Sequence, residues 1–129
     1  MAIEVQMKTS KKKHILIVNQ SAPYSSSNAK ESLDIALAAG AFEQSVAILF
    51  IGDGCYQLLS NQSPKQTHSK NISQMLKVLP VYGIDKLYVD EQSLSNRNIE
   101  QLDENLTLTK VSQHEIQALY KEATTVFRF

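Results

Sequence analysis

Two nearly unbroken aliphatic runs, His14-Ile15-Leu16-Ile17-Val18-Asn19 and Val46-Ala47-Ile48-Leu49-Phe50-Ile51, dictate the layout of this chain. Runs of β-branched and aliphatic residues without polar alternation are how strands buried on both faces of a parallel sheet read. Between them, Ala29, Leu33, Ala36, Leu37 and Gly40 fall on one face of a helix, and the small residues among them allow close packing on a sheet. Asn28, with Glu31 three residues later, offers the N-cap and the reciprocal carboxylate that start such a helix, and Gly40 is a candidate for its end.

The same alternation continues. Gly52-Asp53-Gly54 closes the second run, two glycines permitting positive φ and a sharp change of direction, and a short helix with Leu58 and Leu59 follows. Asn61 to Gln66, with Pro64, reads as a loop. Ile72, Met75, Leu76 and Leu79 recur at helical spacing before Pro80 stops the helix. Ile84 to Val89 and Thr107 to Val111 are the third and fourth strands. Ser112-Gln113-His114-Glu115 is a capping box opening a last helix whose stripe is Ile116, Leu119, Tyr120 and Ala123, and Thr125 to Phe127 forms a final strand. Strands alternating with helices predict an α/β domain with a mainly parallel sheet and helices on both faces. Ligands in such folds sit beyond the carboxyl ends of the strands, here Gln20 to Ser27, Gly52 to Tyr56 and Asp90 to Arg97.

At 129 residues, 43% hydrophobic and 20% charged, the chain has the composition of one domain with one core. Its 13 basic and 13 acidic residues cancel, so no global field draws it to nucleic acid or acidic lipid. Residues 1–12, with Lys8, Lys11 and Lys12 against Glu4, are expected to be a mobile basic tail, and 13–129 the folded domain. No run approaches bilayer length and the N-terminus has no secretory apolar segment. The single cysteine, Cys55, excludes an intrachain disulfide framework, so a soluble protein of the reducing cytoplasm is expected.

Chemistry is sparse. Neither a dinucleotide fingerprint nor a phosphate-binding P-loop occurs, and no nucleophile elbow frames any serine. Ser25, Ser26 and Ser27 at a helix start read either as an anion-holding loop or as turn and capping serines. His14, His68 and His114 lack metal-ligand spacing. Asp85 to Glu104 holds six acids, at 85, 90, 91, 100, 103 and 104, against Lys86 and Arg97. That stretch should repel RNA phosphates, and its acids, Asp90 and Glu91 included, read as solvated charge. Cys55 is the only candidate nucleophile. Entry into a helix after the glycine turn would favour its thiolate, whereas nearby Asp53 and the absence of a neighbouring histidine or lysine favour a small buried apolar residue.

Taken together, Gln20-Ser21-Ala22-Pro23-Tyr24, the helix segment Ala29 to Ala38 and Val46 to Leu59 with its D-G-x-Y-Q-L-L motif resemble the DsrE/DsrF-like sulfur-relay family, and within it the TusC/DsrF branch. The match continues through Leu79 to Ile84, Leu87-Tyr88-Val89-Asp90-Glu91, Ser93-Leu94 and Phe127-Arg128-Phe129. The resemblance implies a flavodoxin-like three-layer α/β domain with five strands. It implies a subunit of a TusBCD-type complex, a dimer of heterotrimers with TusB-like and TusD-like partners. Such a complex passes persulfide sulfur between carrier proteins for 2-thiouridine formation at the tRNA wobble position. In that family the persulfide cysteine belongs to the TusD/DsrE-type partner, on the third strand; here Tyr88 stands at the matching place, which implies a non-catalytic subunit with no cofactor, no metal and no direct nucleic-acid contact. Two departures stand out, Ser25 where the family commonly has glycine and Cys55 where an aliphatic residue is usual. The competing reading is a homo-oligomeric sulfurtransferase with Cys55 as persulfide carrier.

Overall fold

The computed structural model describes residues 13–24, 26–59 and 72–129. The expected basic tail, the Asn61 to Gln66 loop, Ser25 and His68 lie outside the described residues. Five strands, β1 His14–Asn19, β2 Ser45–Phe50, β3 Lys86–Asp90, β4 Thr109–Val111 and β5 Thr125–Arg128, form one all-parallel sheet in the order β4-β3-β2-β1-β5. The helices are α1 Asn28–Ala41, α2 Ile72–Val78, α3 Glu91–Asn96 and α4 Gln113–Glu122, with 3₁₀ helices at Gly52–Leu58 and Leu79–Tyr82. This is the flavodoxin-like three-layer arrangement expected.

The order follows from handedness. From β1 to β4 the chain steps one strand at a time in one direction, and right-handed crossovers keep the intervening helices on one face. The step from β4 back to β5 runs the other way, so α4 lies on the opposite face. The strands' alternation divides the core accordingly. Ile17, Val46, Ile48, Phe50, Leu87 and Val89 pack with Ala29, Leu33 and Ala36 of α1, Ile72 and Leu76 of α2, Cys55, Leu58, Leu79 and Leu94. Leu16, Val18, Leu49 and Val111 meet Ile116 of α4, with Tyr88, Leu119, Tyr120 and Ala123 at the margin. Burying each aliphatic side chain of this size contributes about 1.5–3 kcal/mol.

Several sequence expectations are corrected. The N-cap of α1 is Ser27, not Asn28; the Ser27 hydroxyl donates to Glu31 at 3.1 Å, while the Asn28 side-chain Nδ2 donates to Ser21 Oγ at 3.1 Å. Only Gly52 of the glycine turn has positive φ, at 54°. Gly54 is needed for room, since a Cβ there would lie 2.0 Å from the Asn19 carbonyl oxygen. The third strand begins at Lys86 rather than Ile84, because the Ile84 amide donates back to the Leu79 carbonyl around Gly83, whose φ is 81°. Helix α3 was not expected: Asp90 ends β3 and caps the helix through the Gln92 amide at 3.2 Å. The Ser112–Glu115 capping box is formed as the sequence indicates.

Candidate functional site

The carboxyl ends of β1, β2 and β3 are tied together by polar side chains rather than left open. The Ser32 hydroxyl of α1 donates to the Asn19 carboxamide oxygen, the Asn19 amide lies 3.5 Å from Gln57 Oε1, and Gln57 Nε2 donates to the Ser21 carbonyl at 2.9 Å. Ser21 Oγ donates in turn to the Phe129 carbonyl at 2.9 Å. The loop after β1 is thereby fastened to the 3₁₀ helix, to α1 and to the end of β5. Asn19, Ser32 and Gln57 are buried, and burial of such groups is tolerable because each is hydrogen-bonded.

A second polar group closes the ends of β2 and β3. Asp90 accepts from Ser93 Oγ at 2.7 Å, and the Gly52 amide donates to that same hydroxyl at 2.9 Å. Gln113 Nε2 approaches Asp90 from α4 at 3.5 Å. Arg97 pairs with Asp53 at 3.1 Å and donates to the Ser93 carbonyl at 3.3 Å. The connections after β3 and β4 leave the sheet on opposite faces, which is where such folds open a ligand crevice. In this chain Asp90, Ser93 and Gln113 bridge it.

Cys55 lies beneath this group. It is fully buried in the 3₁₀ helix, its sulfur 3.7 Å from the Phe50 carbonyl. Burial pushes its thiol up to about 11; Arg97 opposes the shift, whereas Asp90 and Asp53 add to it. Of the two readings that the sequence leaves open for Cys55, its surroundings fit the small buried apolar residue, and they favour the thiol over the thiolate. The reading of the acids is corrected. Asp90 and Asp103 are buried, not solvated. Asp103 accepts from the Asn105 amide at 3.0 Å and pairs with Lys77 at 3.4 Å; the amide first, then Lys77, hold its carboxyl below the usual range against the opposing effect of burial.

The remaining candidates scatter. His14 and His114 are exposed and far apart in the fold, at the start of β1 and in the first turn of α4. Among the described residues no three His, Cys, Asp or Glu side chains converge to hold a metal, and no helix is long and apolar enough to cross a membrane. Ser26 Oγ accepts from the Asn28 backbone amide at 3.1 Å, and the Ser27 hydroxyl donates to Glu31 at 3.1 Å, so these two hydroxyls serve the turn and the start of α1. Tyr88 of β3 is half-buried on the α4 face. Sequence reading missed Ser93, Arg97 and Gln57 as members of these networks. The one legible signal was Asp90 ahead of Glu91-Gln92-Ser93-Leu94, an N-cap pattern.

Comparison with known proteins defines the class. The DsrE/DsrF-like family model matches residues 13–129, and the chain belongs to that family. A TusC homolog of Pseudomonas aeruginosa is 42% identical over 85 residues, 66% of this chain and 71% of that protein. A TusC homolog of Vibrio parahaemolyticus is 34% identical over 110 residues, 85% and 93% of the two chains. The intracellular sulfur oxidation protein DsrF of Allochromatium vinosum is 38% identical over 91 residues, 70% and 67%. These relatives place the chain in the TusC/DsrF branch. The crystal structure of the ychN protein from E. coli shares the fold, with a TM-score of 0.75 at 23% identity over 92% of this chain and 99% of that one.

Proposed function

We propose that this chain is a non-catalytic subunit of a cytoplasmic, TusBCD-type sulfur-relay complex, in which TusB-like and TusD-like partners pass persulfide sulfur toward 2-thiouridine at the tRNA wobble position. Its similarity to TusC homologs and to DsrF supports the pathway. The observation that carries the non-catalytic role is Cys55, the chain's only sulfhydryl, which has no exposed surface and a thiol held protonated by burial. A persulfide there would need room for a second sulfur inside a packed core and a thiolate that the core disfavours. The work left to such a subunit is to bind its partners and shape the surface on which carriers dock.

The test is the native mass of the chain purified with its TusB-like and TusD-like neighbours, followed by persulfide mapping in the same sample. A mixed assembly with the persulfide confined to the TusD-like chain is the expected result. Co-expression that yields only the free chain removes the assembly role. A one-sulfur adduct on Cys55, with transfer lost in Cys55→Ser, makes the chain a sulfurtransferase in its own right.

A further inference from the structure

The two edges of the sheet are not alike. β4 is three residues long with Lys110 at its centre, a length and a charge that discourage another strand from adding to it. β5 is Thr125-Val126-Phe127-Arg128, with β1 its only neighbour among the described residues and Val126 and Phe127 each 37% exposed. A bare edge bearing a valine and a phenylalanine is what soluble proteins normally avoid unless something pairs with it.

The hydrogen bonds fix which groups are on offer. Phe129 donates to the Val18 carbonyl and accepts from the Gln20 amide, so Phe129 turns both its backbone groups toward β1. In a parallel ladder this repeats every second residue, hence Thr125 and Phe127 also face β1, while Val126 and Arg128 direct N–H and C=O outward. The side chains alternate by face. Phe127 is in register with Ile17 on the α1 side of the sheet, and Val126 and Arg128 with Leu16 and Val18 on the α4 side.

From this we infer that the occupant of the β5 edge is the β5 edge of a second copy of this chain, paired antiparallel about a two-fold axis through Phe127. Among the two-fold registers, this one alone joins all four outward groups, Val126 bonding Arg128 of the second copy and Arg128 bonding its Val126. It sets Phe127 opposite Phe127 in a non-hydrogen-bonded pair, the pair type in which side chains approach most closely, and aromatic pairs are favourable there. It also sets no charge against a like charge. Arg128 faces a valine, and its guanidinium is already held on the α4 face by the Tyr120 hydroxyl at 3.1 Å, 5.3 Å from the ring centroid. The two sheets become one of ten strands. The inference concerns the isolated chain and does not depend on the sulfur-relay reading.

The experiment is the mass of the purified full chain, by sedimentation or light scattering from about 1 to 100 μM, with a register test by disulfide. The wild type should reach twice 14.4 kDa. Val126→Pro removes an outward N–H without touching the β1 ladder and should raise the dimer Kd at least tenfold at unchanged circular dichroism. In a Cys55→Ala background, Phe127→Cys should oxidise to a covalent dimer, because paired Cα atoms in this geometry lie within disulfide reach. Thr125→Cys, whose counterpart lies four residues along, should not. A wild type that stays at single-chain mass at 100 μM overturns the inference. So does a dimer that links through Thr125→Cys in preference to Phe127→Cys, or one whose mass Val126→Pro leaves untouched. If Val126→Pro fails to fold, the cysteine pair decides alone.

Discussion

A thiol sealed in an apolar core is stable as a thiol and costly as a thiolate, and Cys55 is held in that state. Its folded-state value of about 11 lies above the ordinary 9.0, so the stabilisation is complete below pH 9 and is lost as pH rises toward 11, where the unfolded chain ionises first. The loss amounts to ~2 kcal/mol over that window. Urea unfolding of wild type and Cys55→Ala at pH 7, 9 and 11 should show the wild type falling more steeply between 9 and 11. In the native protein at pH 8, maleimide should label Cys55 at least a hundredfold more slowly than after unfolding; equal rates would mean the thiol is accessible. Sequence spacing placed Cys55 at a strand end behind a glycine turn, which is true, but left its two readings open. Burial is decided by Phe50, Leu58, Leu94 and the strands they pack on, which come together only in three dimensions.

Elements made of long apolar runs were legible: β1 is found where its run predicts, and β2 within a residue of it, because a six-residue stretch with no polar alternation has few other places to go. Helix α3 was hidden by its length of six residues and by acids that suggested solvent, since nothing local says that Asp90 is buried under Ser93 and Gln113. The glycines show how the same residue serves different elements. At Gly54 the Asn19 carbonyl stands 2.0 Å from where a Cβ would be, and neither the end of β1 nor the 3₁₀ helix can yield easily. Gly54→Ala should therefore destabilise the protein by more than ~3 kcal/mol, as overpacking of backbone against backbone does. At Gly83 the space is open and only φ of 81° resists a side chain, so Gly83→Ala should cost about 1 kcal/mol. Denaturant midpoints of the two variants, measured together, check the ordering. A Gly54→Ala protein as stable as Gly83→Ala would show that the 3₁₀ helix can pull away from β1.

Across the whole molecule the strand order joins the two ends of the sequence. β1 is made first and lies second from the edge, yet its outer neighbour β5 is the last element, and the Thr124 amide closes on the His14 carbonyl across 110 residues. The end of that strand also fastens the loop after β1, through the bonds of Gln20 and Ser21 to the Phe129 carbonyl. Removing Thr125 to Phe129 should therefore do more than fray an edge. Ile15 and Ile17 lose the strand beside them, and the Ser21–Gln57–Asn19 chain loses its anchor. The expected loss is several kcal/mol out of the ~5–15 that a domain possesses, so the truncated chain should unfold at markedly lower urea or bind a hydrophobic dye without denaturant. Repeating the unfolding at several protein concentrations separates the two roles of β5. The ladder to β1 acts within one chain and does not change with concentration, whereas any contribution from self-pairing grows with it. A truncated protein with an unchanged midpoint at low concentration would mean that β1 is held by β2 and the helices alone, and that β5 exists for its outer edge.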